Sequence, residues 1–201
     1  MFFQIKFLLD YLPQNRGDFM KLMIASDIHG SEYYCRLLIQ RFQKEQADKL
    51  ILLGDILYHG PRNDLPKDYN PKGVIEMLNN ISDRILCVRG NCDCDVDQMV
   101  LNFPIMAEYA IMYVNNRLIY MTHGHKLDEH RLNILKEGDI LLHGHTHIPA
   151  CDSSNPYIYL NPGSVSIPKE NSAHSYMLLM DNRLVWKDLL DGNEYMDYDL
   201  D

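Results

Sequence analysis

The stretch LMIASDIHG (residues 22–30) sets the pattern of the whole chain, because a short apolar run of strand type ends directly in residues that can bind metals. The same arrangement recurs where LILL (50–53), ILCV (85–88), LIYM (118–121) and ILL (140–142) lead into polar residues. In an open α/β sheet, ligands bind at the carboxyl ends of the strands. If the five strands share that edge, seven oxygen and nitrogen donors converge there: Asp27, His29, Asp55, Asn91, His123, His145 and His147.

The composition is typical of an ordinary globular domain. With 201 residues, 46% of them hydrophobic and 23% charged, the chain is long enough to bury a core. No apolar run approaches the roughly 20 residues that a membrane span needs, so we expect no membrane partner. The net charge of −9 disfavours an extended nucleic acid as partner, because no basic surface would release its counterions. A small anionic substrate remains compatible, since bound divalent cations would reverse the local charge.

The start of the domain and the cellular compartment of the protein can be predicted from the N-terminal residues and from the cysteines. Residues 1–19 are partly apolar, but they lack the basic start and the small-residue cleavage site of a secretory signal. Because Met20 directly precedes the first strand, we interpret residues 1–19 as an N-terminal extension or an over-called start. Residues 20–201 are then expected to form a single domain. Five cysteines, an odd number without disulfide-like spacing, favour a reducing compartment, and we expect a cytoplasmic protein.

Predicted strands and helices alternate in the first half of the domain and give way to hairpins in the second. Strands are predicted at 21–25, 49–53, 84–88, 139–142, 157–160, 175–180 and 184–188, with two more within 107–121 around Asn115-Asn116. Helices are predicted at 32–46, 72–80 and 129–136. The opening βαβαβ pattern implies parallel strands, and the later pairs imply antiparallel ones. An α/β fold with two packed sheets and helices outside accommodates both.

The types of donor indicate the types of metal. Asp27 and His29 stand two residues apart, and in an extended backbone such residues point the same way and can face one ion. His145 and His147 repeat that spacing. The donor set contains carboxylate, amide and imidazole groups without sulfur, which favours divalent Mn, Fe, Zn, Co or Ni. Two ions about 3.5–4 Å apart need a bridging ligand, for which a carboxylate is suited, and such pairs are typical of phosphoester chemistry.

The order of the motifs DIH (27–29), GD (54–55), GNCD (90–93), THGH (122–125) and GHTH (144–147) resembles the calcineurin-like metallophosphoesterase superfamily. More narrowly, GDILYHGPRN (54–63), VRGNCDCDVDQ (88–98) and NPGSVSIPK (161–169) are similar to the bacterial YfcE type of phosphodiesterase. The resemblance runs from about Met20 to Leu190. It implies the metallophosphoesterase fold, a four-layer α/β/β/α sandwich of two packed mixed sheets, and it also implies a homo-oligomer.

The resemblance further implies a ligand set, in which Asp55 bridges two divalent ions. Asp27, His29, Asp55 and His147 would hold one ion, and Asp55, Asn91, His123 and His145 the other. Manganese is the expected metal, with zinc, iron, cobalt and nickel as alternatives. The implied activity is that of a metal-dependent phosphoric diester hydrolase, in which a metal-bridged hydroxide attacks the phosphorus of a small phosphodiester.

Two other functions remain open. One is a phosphomonoesterase or nucleotide phosphatase of the same fold. The other is a non-catalytic binding scaffold like the small retromer subunit, which shares the fold and has a compromised metal site. The presence of ligand-type residues at all seven positions disfavours the scaffold.

The leaving-group side departs from the family pattern. Cys92 stands where many members of the superfamily have a histidine that is thought to protonate the leaving group, and a thiol with a pKa of roughly 8.5 suits that task poorly. Cys92 and His125 are our catalytic candidates there, and Arg62 and His59 our substrate-binding candidates. The alternatives are that the two histidines are solvated loop residues or partners of a metal ligand, and that Arg62 makes a loop-fixing salt bridge. Asp93 is predicted to accept a ring N–H from a ligand histidine, with a solvated loop carboxylate as the alternative.

Overall fold

The structure, a computed structural model, describes residues 20–114, 116–127, 129–154 and 156–200, so the interpretation of residues 1–19 lies outside it. Its strands are β1 (Leu22–Ala25), β2 (Lys49–Leu52), β3 (Ile85–Cys87), β4 (Tyr109–Val114), β5 (Arg117–Thr122), β6 (Ile140–His143), β7 (Pro149–Asp152), β8 (Ile158–Pro162), β9 (Ser175–Met180), β10 (Arg183–Asp188) and β11 (Glu194–Asp199). Its helices are α1 (Glu32–Lys44), α2 (Pro71–Asn79), α3 (Asp95–Val100) and α4 (Glu129–Leu132). None of these helices has the length and apolar character of a membrane span.

The strands form two mixed sheets. In the first, ordered β11-β10-β9-β1-β2-β3, the strands β1, β2 and β3 run parallel, while β9 pairs antiparallel with both β1 and β10. In the second, ordered β4-β5-β6-β8-β7, the central strands β5, β6 and β8 run parallel between antiparallel edge strands. The parallel strands explain why the motif-bearing loops share one edge, since parallel strands all end on the same side.

The apolar strand runs have no polar alternation because the first sheet is covered on both faces. Met23 and Ala25 of β1 pack in the core beneath α1 and α2, whereas Leu22 and Ile24 pack against the second sheet. Strands that are buried on both faces read as continuous hydrophobic runs. The predicted α/β fold of two packed mixed sheets is therefore confirmed, with the metal-binding loops at the carboxyl ends of strands from both sheets.

Helix α1 illustrates how local signals fix the elements around the site. It begins after Ser31, whose Oγ accepts the backbone N–H of Tyr34, and it buries Cys35, Leu38 and Phe42 along one face. The helix places its N-terminus next to the loop that follows β1. Cys35 and Cys87 are both buried in the core.

Three elements were not predicted, and one was predicted too long. Helix α3 has only six residues, β7 begins with Pro149, and β11 (EYMDYD) is strongly acidic, so none carries a clear periodic pattern. Helix α4 ends at Leu132 rather than at 136. Leu132 lines a small depression together with Tyr120 of β5, which places α4 beside the second sheet. Strands β7 and β11 are formed by pairing with their neighbours rather than by local preference. Helix α3 is instead capped locally by the carboxylate of Asp97, which accepts the backbone N–H of Cys94.

Candidate metal centre

The seven candidate ligands lie in the loops that follow β1, β2, β3, β5 and β6. Most of their side chains are removed from solvent although they are polar or charged. Five of the seven are fully buried: Asp27, His29, Asp55, His123 and His147. Burial of so many ionisable groups is costly unless they pair with one another or bind a cation. The five loops therefore bring the candidate ligands together in one compact polar centre at the edge shared by the two sheets.

The first group of donors has the spacing expected around a single ion. Nε2 of His147 lies 3.2 Å from Oδ1 of Asp27, and Nε2 of His29 lies 3.5 Å from the same oxygen. The two Nε2 atoms are 3.3 Å apart. Ligand atoms that each lie about 2.1 Å from one metal are roughly 3.0–3.5 Å from one another at tetrahedral or octahedral angles. These three side chains fit a divalent ion without rearrangement.

A second group adjoins the first through Asp55. Oδ2 of Asp55 lies 3.4 Å from Nε2 of His123 and 3.7 Å from Nε2 of His29. Oδ1 of Asn91 lies 3.1 Å from Nε2 of His123. Asp27, Asp55 and His123 also form a compact set whose donor atoms lie within 4.8 Å of one another. The carboxylate of Asp55 thus stands between the two groups.

His145 lies at the border of the second group. Its ring centroid is 5.0 Å from that of His123, and its backbone N–H donates to Oδ2 of Asp27 at 3.1 Å. It belongs to none of the compact donor sets found among the described residues. The thiol of Cys92, by contrast, belongs to such a set with His29 and Asp55. The sequence places Cys92 on the leaving-group side, and the structure groups its sulfur with two donors that could also hold an ion.

The same uncommon backbone conformation recurs at several residues of the centre. Five of the seven candidates adopt a left-handed conformation, with positive φ at Asp27, His29, Asp55, His145 and His147. Such a conformation is uncommon outside glycine, and it clusters at functional sites. The expectation that the D-x-H and H-x-H pairs face one ion from an extended backbone is therefore wrong in its geometry. These residues lie beyond the strand ends, where the left-handed turns aim the side chains inward.

The strained turn at Asp27 is held by the NPGSVS segment. Oγ of Ser164 and Oγ of Ser166 each donate to the backbone carbonyl of Asp27 at 3.0 Å. The backbone N–H of Val165 donates to the carbonyl of Ser26 at 3.0 Å. All of these groups are buried, so each bond is protected from water. The two serines of the NPGSVSIPK motif therefore support the loop that carries Asp27, a role that the motif alone does not reveal.

Three of the candidate ligand histidines are oriented by backbone carbonyls. Nδ1 of His29 is 2.8 Å from the carbonyl oxygen of Tyr58, and Nδ1 of His147 is 2.6 Å from that of Ile167. Nδ1 of His123 is 2.6 Å from the carbonyl oxygen of Leu53. When Nδ1 donates to a carbonyl, the lone pair of a neutral ring is on Nε2, which here points into the centre.

Asp93 has a different role from the predicted one. Its carboxylate accepts the backbone N–H groups of Asp55 at 2.9 Å, Ile56 at 2.9 Å and Gly90 at 2.7 Å, and among the described residues no histidine ring N–H donates to it. It is buried, so the solvated alternative is also wrong. The reason is geometric, since backbone carbonyls already take the ring protons. Asp93 joins the loop after β2 to the loop after β3 and so positions Asp55.

Two glycines permit the close approach of these loops. A Cβ at Gly90 would collide with the carboxylate and the backbone nitrogen of Asp55. A Cβ at Gly144 would collide with the side chain of Ser26 and approach Oδ2 of Asp27. Both positions therefore exclude any side chain, because the neighbouring atoms belong to the centre itself.

The charges of the centre stabilise one another. Burial raises the pKa of Asp27, but hydrogen bonds with His147 and His29 outweigh burial and hold that pKa well below its usual value. Burial lowers the pKa of His123, but its hydrogen bond with Asp55 and nearby negative charge raise that pKa to about 9. In the metal-free protein at neutral pH, His123 therefore carries a proton that a metal ion has to displace.

Cys92 is closely tied to the centre. Its backbone N–H donates to Oδ1 of Asp55 at 2.8 Å, and its Sγ accepts from Nδ2 of Asn91 at 3.2 Å. Burial and the charge of Asp55 raise the pKa of the thiol. A Cβ at Gly60 would lie 3.1 Å from Sγ, so the long loop after β2 passes directly over the thiol.

The remaining candidates lie around the centre without being fixed by it. The ring centroid of His125 is 5.4 Å from that of His123, and the ring of His59 contacts Tyr58 and Tyr69 edge to face. Nδ1 is buried in both candidate histidines and has no hydrogen-bond partner in the described part of the chain. Arg62 is exposed and makes no ion pair with a described residue, so the loop-fixing salt bridge is not present there.

Comparison with known proteins agrees with this geometry. Residues 20–182 match the family described as the calcineurin-like phosphoesterase superfamily domain. Phosphodiesterase YfcE of Escherichia coli K12 is 44% identical over 160 residues, which cover 80% of this chain and 87% of that protein. The solved structure of the E. coli phosphoesterase Yfce superposes with a TM-score of 0.86 at 41% identity and covers 90% of this chain and 100% of that one. Vacuolar protein sorting 29 of Cryptosporidium parvum shares the fold, with a TM-score of 0.58 at 20% identity, covering 89% of this chain and 97% of that one. The chain belongs to the calcineurin-like phosphoesterase superfamily.

Proposed function

We propose that the protein is a dinuclear, metal-dependent phosphodiesterase that hydrolyses small phosphodiesters. The observation that carries the proposal is the position of Asp55. Its Oδ2 lies 3.7 Å from Nε2 of His29 in one donor group and 3.4 Å from Nε2 of His123 in the other. A carboxylate at the junction of two donor groups is the natural bridge between two ions. The relative named phosphodiesterase YfcE, at 44% identity, supports the reaction class.

We assign four ligands of this chain to each of the two ions. Asp27, His29, Asp55 and His147 would hold the first, and Asp55, Asn91, His123 and His145 the second. When bound, two divalent ions lower the pKa of a water held between them and neutralise the oxygens of a phosphoryl group. The oxygen and nitrogen donors favour manganese, with zinc, iron, cobalt and nickel as alternatives.

The protein itself holds the side chains of the centre in the orientation that metal binding needs. The carbonyls of Tyr58, Leu53 and Ile167 hold three ligand rings with Nε2 inward. Because the fold itself supplies these contacts, the rings need little reorganisation when charge develops on phosphorus.

We assign the leaving-group side to Cys92 and His125, and substrate contacts to His59 and Arg62. Cys92 and His59 lie where the long loop meets the centre, and the exposed guanidinium of Arg62 is available to a phosphate. With its pKa raised by burial and by Asp55, the thiol of Cys92 is a weak acid, so the enzyme would favour substrates whose leaving group departs without a proton.

We propose a cytoplasmic homo-oligomer that acts on small molecules rather than on extended nucleic acid. All five cysteines are free thiols, which supports a reducing compartment. The net charge of −9 disfavours long polyanions, while a phosphodiester small enough to reach the ions would be attracted locally.

The proposal is tested by comparing the hydrolysis of an aryl phosphate diester with that of the matching monoester, which has the same leaving group. Each ester is assayed with added Mn²⁺. We expect faster hydrolysis of the diester and loss of activity in Asp55→Asn. The matched control is Asp64→Asn, which removes an exposed loop carboxylate and should leave the rates unchanged. Equal rates on both esters would reject the diesterase in favour of a broader phosphatase. The absence of both bound metal and activity with every divalent ion tried would favour the scaffold.

A further inference from the structure

The two sheets leave four edge strands among the described residues: β3, β4, β7 and β11. An edge strand presents unpaired backbone groups that can pair with another strand, and proteins usually protect such edges by shortness, by proline or by charge. Strand β3 has three residues, β7 begins with Pro149, and β11 carries three acidic residues. Each of these three edge strands therefore has a feature that disfavours pairing with a strand of another molecule.

Strand β4 lacks all of these protections. Its six residues, YAIMYV, include no proline, acid or base, and all six pair with β5 without a bulge. Tyr109, Ile111 and Tyr113 are 42%, 48% and 67% exposed, whereas Ala110 and Met112 face the core between the sheets. The strand is thus long, regular, uncharged and apolar on its outer face, which is the description of an edge that pairs.

The direction of the free backbone groups follows from the hairpin. Val114 pairs with Arg117 across a two-residue connection, and the pair that closes such a hairpin exchanges hydrogen bonds. Because the direction of the backbone groups alternates along a strand, the N–H and C=O groups of Val114, Met112 and Ala110 then point toward β5. The backbone N–H and C=O groups of Tyr113, Ile111 and Tyr109 consequently point away from β5, at the free edge.

We propose that β4 pairs antiparallel with β4 of a second copy of this chain, about a twofold axis at Ile111. In that register Tyr109 opposes Tyr113 of the second copy, and Ile111 opposes Ile111. The sequence Tyr-x-Ile-x-Tyr is symmetric about its centre, so the same side chains meet in both directions. About six backbone hydrogen bonds would form, two for each of the three outward pairs.

Charge supports a second copy at this strand in particular. Two chains with a net charge of −9 repel each other, and the repulsion is smallest where the contact carries no acid. Strand β4 has none, whereas β11 has Glu194, Asp197 and Asp199. Glu108, which directly precedes β4, lies 3.9 Å from the ammonium of Lys126, which offsets its charge. The inference deepens the homo-oligomer of the proposed function and does not depend on the metal chemistry.

Sedimentation equilibrium of the full chain, with Ile111→Lys and the control Met99→Lys, tests the pairing. Both variants change the net charge equally and replace an exposed apolar residue, since Met99 is 82% exposed. Added lysine also weakens the general repulsion between copies, so a loss of association cannot come from net charge. We expect the association constant to fall at least about tenfold in Ile111→Lys and to stay unchanged in Met99→Lys.

Hydrogen exchange of the unmodified chain provides a second measurement that needs no variant. We expect the fragment 107–114 to become more protected as protein concentration rises, because paired amides exchange slowly. An unmodified chain that stays monomeric at high concentration would overturn both the pairing and the homo-oligomer. Association that persists unchanged in Ile111→Lys, with no added protection in 107–114, would overturn the β4 interface and leave the homo-oligomer standing.

Discussion

On the proposed metal-binding side of the centre, His29, His123 and His147 each have Nδ1 within 2.8 Å of a backbone carbonyl oxygen. On the proposed substrate side, by contrast, His59 and His125 have no partner at Nδ1 in the described part of the chain. The first side is buried and its groups are oriented by the fold. The second side borders a long loop that carries the exposed Arg62. The difference suggests that changes on the metal side should affect all substrates alike, and that changes on the substrate side should depend on the substrate.

The largest effect is expected from removing the bridge. Asp55→Ala takes a ligand from both proposed ions, so we predict a loss of kcat/KM of more than about 10³-fold on every ester tested. The assay is hydrolysis of several diesters at saturating Mn²⁺. A loss that varied strongly from one diester to another would mean that Asp55 contacts the substrate, and the contrast between the two sides would fail.

Asp93 tests whether the metal side depends on its supporting bonds. Asp93→Ala leaves three buried backbone N–H groups without acceptors, so we predict a loss of about 3 kcal/mol in the free energy of unfolding and a drop of about 10–100-fold in metal affinity. Urea unfolding and metal titration measure the two quantities. The control Asp95→Ala removes an exposed acid of α3 and should change stability by about 0.5 kcal/mol or less. Metal affinity that stayed unchanged in folded Asp93→Ala would show that Asp55 needs no such support.

The substrate side should respond differently. We predict that Cys92→His raises turnover by about tenfold or more on diesters with poor leaving groups, because imidazole is a better proton donor near neutral pH. Diesters with good leaving groups should show little change. A series of leaving groups of increasing pKa measures the slope for both proteins. Parallel slopes would contradict the assignment of position 92 to the leaving group.

The smallest expected effect concerns protons on the metal side. The pKa of His123 is raised to about 9, above its unfolded value, so its proton stabilises the metal-free protein at low pH and that contribution is lost as pH rises through about 9. A metal ion must expel this proton, so binding at pH 7 should release about one proton from His123 and tighten as pH rises. Calorimetry in buffers of different ionisation enthalpy counts the protons. No release in the unmodified chain, or equal release in His123→Asn, would contradict this.

Much of the fold was predictable because the apolar strand runs and the metal motifs coincide. The runs that end in Asp27, Asp55 and His123 are short and uninterrupted, which is the pattern of strands buried on both faces. The order of the motifs then identified the superfamily, and with it the sheets that bring these loops to one edge.

The supporting contacts could not be predicted in the same way. Asp93 bonds to backbone groups 37 and 38 residues away in the chain, and Ser164 and Ser166 bond to a carbonyl more than 130 residues away. Such partners depend on how distant loops meet, which periodicity and spacing do not encode. The left-handed backbone at Asp27 is similarly a consequence of those contacts, since aspartate has only a weak preference for that conformation.

The number and spacing of bound ions test the dinuclear centre most directly. The protein would be stripped with a chelator, reloaded with Mn²⁺ and crystallised, and anomalous diffraction would locate the metal. We predict two manganese ions per chain, about 3.5–4 Å apart, with an oxygen of Asp55 bound to each. A single ion per chain at saturating Mn²⁺, or two ions of which only one contacts Asp55, would contradict the bridged centre.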